Sequence, residues 1–175
     1  MTPRSRHLRT GLRTGLGIIL VAGTLLLTGC TAIVPLEPSK DAANPTCADL
    51  IVRLPTSVAS LPERETNAQA TGAWGAPAAV LLHCGVTVPV PTTLPCLNVN
   101  GIDWIEDDSE APLYRYTTYG RDPATELVID SGKVSGSTVL VDLSKAVSAI
   151  PATRQCVGVE DLTIPTDGGP AVPAP

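Results

Sequence analysis

"CLNVNGIDWIEDDSEAPLYRYTTYGRDPATELVID", residues 96–130, decides the fold, because three runs of extended character follow one another there with short polar connections. "CLNVNGIDWI" (96–105) reads as one strand whose alternation shifts around Gly101, the mark of a bulge. "EDDSE" (106–110) reads as a solvated turn. "PLYRYTTY" (112–119) is a second strand, rich in tyrosine and threonine. "GRDP" supplies a turn, and "ATELVID" (124–130) a third strand. Connections this short favour antiparallel neighbours, because a parallel crossover needs a dozen residues or more.

Working outward, "AAVLLHCGV" (78–86) is a buried-strand candidate that puts Val80, Leu82 and Cys84 on one face and His83 on the other. Beyond residue 130, Val139, Leu140, Leu143, Ala146, Val147 and Ile150 share a face at helical spacing, with Ser137 as cap and Pro151 as stop. At the other end, Cys47, Leu50, Ile51 and Leu54 outline a short helix capped by Thr46 and ended by Pro55. "LPERETNAQATGAWGAP" (61–77) reads as loop, with Trp74 as an anchor. Helix, four strands, helix predicts an α+β domain: a small antiparallel sheet of about four strands flanked by two short helices. An all-β sandwich is the rival.

The chain ends have a different character. Arg4, Arg6, Arg9 and Arg13 precede an apolar run from Leu16 to Leu27, and Leu27-Thr28-Gly29-Cys30 closes it. A membrane-spanning helix needs about twenty apolar residues. A basic start, a shorter apolar middle and small residues before a cysteine form an export signal instead. The closing tetrad resembles a bacterial lipobox, which implies diacylglycerol on the Cys30 thiol and cleavage before it. The expected layout is a signal peptide at 1–29, a proline-rich tether at 30–45, one domain at 46–164 and an unstructured tail at 165–175.

The five cysteines fit that layout. Lipid on Cys30 leaves four, enough for two disulfides in an oxidising compartment. Cys84 and Cys47 both face the expected core, which favours Cys47–Cys84 and leaves Cys96–Cys156. Spacing alone leaves three pairings open.

The whole chain carries 12 basic and 17 acidic residues, for a net charge of −5. Loss of the four leader arginines leaves eight basic against seventeen acidic, or −9. That surface opposes binding to nucleic acid. No phosphate loop, dinucleotide fingerprint or G-x-S-x-G elbow occurs. His83 is the one histidine beyond the leader, so it alone could serve a serine or cysteine nucleophile; a loosely packed surface histidine is the simpler account. One histidine and no C-x-x-C pair argue against zinc. No catalytic residue, metal site or cofactor is expected. The candidate ligand surface comprises Trp104, Tyr114 and Tyr116 with Arg115 and Arg121, since aromatic faces beside guanidinium groups suit sugars, peptides or carboxylates. Asp103 and Glu106 are the carboxylates a hydrolase would use.

The runs "WGAPAAVLLHCGV" (74–86), "CLNVNGIDW" (96–104), "YTTYGRDP" (116–123), "VDLSKAV" (141–147) and "PATRQC" (151–156) together resemble an actinobacterial family of small lipoproteins of unknown function. The match covers nearly all of 46–157. The resemblance implies an envelope role and brings no catalytic residues; relatives often carry arginine where this chain has His83. The expectation is therefore a non-catalytic binding or accessory module, membrane-anchored through its N-terminal lipid on the extracytoplasmic face. Its partner would be an envelope protein or cell-wall component. A wall-acting hydrolase or a small-ligand receptor are the alternatives.

Overall fold

The computed structural model describes residues 32–157. The expected signal peptide, the lipid site at Cys30 and the tail from residue 165 lie outside the described residues.

Among the described residues, eight strands form one antiparallel sheet, and two helices lie against it. The elements are α1 (Pro45–Ile51), β1 (Ser57–Val58), β2 (Leu61–Arg64), β3 (Thr71–Trp74), β4 (Val80–Val86), β5 (Cys96–Val99), β6 (Ile102–Asp107), β7 (Leu113–Thr118), β8 (Ala124–Asp130) and α2 (Gly136–Val147). The sheet order is β1-β2-β3-β4-β8-β7-β6-β5. It consists of two four-stranded meanders meeting at the β4–β8 seam. The connection from β4 to β5 carries the chain from the middle of the sheet to its far edge.

The expectation of a small four-stranded α+β sheet is thus corrected: the domain is mostly β, with twice that many strands. The run 96–105 is two strands joined by a tight turn, not one bulged strand. Asn100 (φ 51°) and Gly101 (φ 78°) both take left-handed backbone between the paired residues Val99 and Ile102. Two consecutive left-handed residues make a two-residue hairpin turn whose twist suits the flanking strands. The stretch read as loop, 61–77, contributes β2 and β3. Neither has an apolar run, so pairing rather than intrinsic preference holds them. Gly72 lies under Leu54 and Trp74, where an added Cβ would come within 2.9 Å of both side chains.

The core lies between the helices and one sheet face. Val80, Leu82 and Cys84 of β4, Leu127 and Ile129 of β8, Tyr116 of β7, and Ile102 and Trp104 of β6 all belong to it. Strand register aligns them in rows. α2 adds Val139, Leu140, Leu143 and Val147, with Ile150 just beyond its end. In α1, Cys47 and Leu50 are fully buried. Its cap is Asn44, not Thr46: the Asn44 Oδ1 accepts the Thr46 N–H at 3.1 Å, and Pro45 occupies the first turn, where no N–H is needed. The cap position of α2 is Ser135, two residues before the expected Ser137.

Two disulfides are present, Cys47–Cys84 and Cys96–Cys156. The first fixes α1 to the sheet in the core. The second ties the chain after α2 to edge strand β5.

The stretch expected as a tether is described from Ala32 onward and runs along the domain. Arg64 donates to the Ala32 carbonyl, Val34 bridges to Thr66, and the Leu36 N–H donates to Asn67 Oδ1 at 2.7 Å. Farther on, the Asp41 N–H donates to the Gly85 carbonyl at 3.0 Å. Gly85 (φ 86°) sits in a β-bulge of β4, and a Cβ there would meet the Asp41 backbone at 2.3 Å. Only glycine permits that approach.

Candidate functional site

The sheet face away from the helices is not covered by any described helix. Strand alternation turns Leu81 and His83 of β4, Glu126 and Val128 of β8, Arg115 and Thr117 of β7, and Asp103 and Ile105 of β6 toward it. At its β5–β6 end lies a cleft of about 720 Å³, within the size range of small-ligand sites. Pro91 and Leu94 of the β4–β5 connection, Tyr119, the Cys96–Cys156 bridge, Ile105 and Asp103 all line the cleft.

Asp103 is 8% exposed. Its Oδ1 accepts from Asn98 Nδ2 at 2.6 Å, and its Oδ2 accepts the Cys156 N–H at 2.8 Å. Its own carbonyl accepts the Tyr119 N–H at 2.8 Å. One residue therefore joins β5, the β7–β8 turn and the end of the described chain. The sulfurs of Cys96 and Cys156 and the Asp103 carboxylate lie within 4.8 Å of one another. While bridged, the sulfurs offer no thiolate, the form that binds metal ions.

A second polar group lies mid-sheet. Arg115 pairs with Glu126 at 2.8 Å and with Glu110 at 3.2 Å. His83 stands opposite Glu126 in the strand register, and its Nδ1 is buried without a hydrogen-bond partner among the described residues. Burial pushes the His83 pKa below 6.5, outweighing the upward pull of Glu126; Arg115 adds to the lowering.

The structure does not bring the expected ligand surface together. Trp104 is fully buried in the core. Tyr114 and Tyr116 do share a strand face, ring centroids 6.4 Å apart, but that face lies under the helices, and Tyr116 is 7% exposed. Burial, with Glu106 as a secondary cause, raises the Tyr116 pKa well above its ordinary value. Arg115 points to the opposite face. Arg121 is buried and donates to the carbonyls of Ile150 and Gly101. Asp103 and Glu106, the carboxylates a hydrolase would use, differ by three positions on β6, so alternation sends them to opposite faces.

Sequence reasoning missed Asn98, Tyr119 and the β4–β5 connection as cleft elements, and the Arg115–Glu126 pair. His83 was singled out and placed on the correct strand face. Glu126 could join it only through a register that no local pattern reveals.

The family described as "Protein of unknown function (DUF3515)" has a model that matches residues 16–155. No curated protein and no solved structure matches the chain.

Proposed function

This chain belongs to the DUF3515 family of proteins of unknown function, and from that premise we propose that it is a lipid-anchored extracytoplasmic module that binds rather than catalyses. Cys30 carries the lipid, the leader before it is removed, and the domain works on the outer face of the cytoplasmic membrane. Its partner is an envelope protein or a cell-wall component, met at the cleft and uncovered sheet face. The observation that carries this reading is the cysteine pairing. Four of five cysteines are bridged, and Cys30, behind its basic and apolar leader, is the one left over. Disulfides persist in oxidising compartments, and an odd cysteine in an exported chain calls for its own chemistry.

Mass spectrometry of the full chain made in a lipoprotein-processing bacterial host tests the proposal. The expected N-terminal peptide begins at Cys30 and carries diacylglycerol, and the protein sediments with membranes. Cys30→Ala should leave the leader uncleaved and the lipid absent. An unmodified Cys30 in a cytosolic chain with every thiol titratable would overturn the reading.

A further inference from the structure

We propose that the cleft takes an aliphatic primary ammonium group, with Asp103 receiving the charged head and the apolar wall receiving the stem. Among the described residues the Asp103 carboxylate is the only acidic side chain lining the cleft, and it is 8% exposed. Each oxygen already accepts one N–H, from Asn98 and from Cys156. An ionised carboxylate has about four lone-pair sites, so about two remain. Among the described residues no lysine or arginine pairs with it within 4.0 Å. Of the nearby cations, Arg121 donates to backbone carbonyls and acts on Asp103 only through space, and Arg154 lies over the Tyr119 ring at 5.5 Å.

A buried carboxylate with no direct ion-pair partner can take a cation, and a compact ammonium with three donors fits its open lone pairs. A neutral polyol could fill the free lone pairs but would bring no charge, and an anion would be repelled. The walls select among cations. Leu94, 42% exposed, with Pro91 and Ile105 gives apolar patches in a lining otherwise rich in polar groups such as Thr92, Asn98 and Gln155. An apolar stem with a charged end, as in a lysine side chain, can lie on those patches while its head meets the acid. The proposal deepens the reading of the domain as a binding module and is independent of its anchoring.

The test uses the purified full chain and four probes: 1-aminopentane, Nα-acetyl-lysine amide, the same amide acetylated on Nε, and glucose. The two amines should raise the melting temperature and shift the Cys156 amide resonance; the acetylated amide and glucose should do neither. Binding of both amines points to the bare ammonium and its stem. Binding of the lysine amide alone points to a lysine residue in a peptide, and of aminopentane alone to a free amine. Asp103→Asn should weaken amine binding at least tenfold. Because Asp103 also holds the local structure, Leu94→Ser, on the exposed wall, provides a second variant and should weaken binding about threefold. Equal binding of the Nε-acetylated amide, no response to either amine at millimolar concentration, or an unchanged affinity in Leu94→Ser overturns the proposal. A failed lipidation assay at Cys30 would leave these readouts untouched.

Discussion

Two glycines separate strain from collision. Gly101 and Gly85 both have positive φ, but a Cβ on Gly101 meets nothing within 4 Å, whereas one on Gly85 meets the Asp41 backbone at 2.3 Å. Gly101→Ala should cost about 1 kcal/mol, the left-handed penalty alone. Gly85→Ala must in addition push the 32–44 segment off β4, and should cost at least about 2 kcal/mol; chemical denaturation of both variants reads the contrast. His83 makes stability depend on pH. Its folded pKa is lowered by burial, so between that value and 6.5 the unfolded chain binds the proton that the folded chain does not. Its contribution to stability therefore rises with pH and is lost as pH falls below about 6.5. His83→Gln should flatten the fall in melting temperature between pH 7 and 5. At this scale the sequence was partly legible. Alternation along β4 placed Cys84 in the core and His83 outside it, because that strand is long and strongly patterned. Trp104 and Tyr116 were misassigned to a ligand surface, because residue type alone cannot tell a core aromatic from an exposed one.

The legible elements are those with a local signal. Val80–Val86 and the apolar stripe of α2 were readable from side-chain periodicity, Leu113–Thr118 from its tyrosine and threonine content, and Ala124–Asp130 from the turn before it. β1 to β3 were not, since "SV", "LPER" and "TGAW" are too short or too small-sided to alternate visibly. They persist because each pairs with a neighbour. The β1–β2 turn, left-handed at Ala59 and Ser60, also gains a contact from α2: the Ala59 N–H donates to Asp142 Oδ2 at 2.7 Å. Asp142→Ala should lower stability by about 1 kcal/mol, measured by denaturant titration. The Asn100-Gly101 turn was visible as a dipeptide but was read as a bulge, since both features require a left-handed glycine. The two disulfides differ in access. Cys47 and Cys84 are fully buried, while Cys96 and Cys156 are half-exposed. A mild dithiol should therefore open Cys96–Cys156 first, as timed alkylation and peptide mapping would record. The closed loops span 37 and 60 residues, so each bridge contributes about 4 kcal/mol on the chain-entropy account.

At the scale of the whole molecule, the meander pair was the least legible feature, because the β4–β8 seam joins residues 38 to 49 positions apart and leaves no local trace. The cleft was hidden for the same reason: Asp103 and Cys156 meet across 53 residues. The segment from Ala32 to Asn44 is pinned at several points, so a broad-specificity protease should spare it in the native chain and cut it in Gly85→Ala, as peptide mapping would show. That pinning has a mechanical outcome. Whatever pulls on the chain upstream grips it beside β2 and β3, at one rim of the sheet, while the Asp103 pocket opens beside β5 and β6 at the other. Five strand spacings of about 4.8 Å separate those rims, so the sheet serves as a spacer roughly 24 Å wide. A load applied at the leading end is borne first by the bonds around Arg64 and Asn67, before it reaches the Asp41–Gly85 contact and the Cys47–Cys84 bridge.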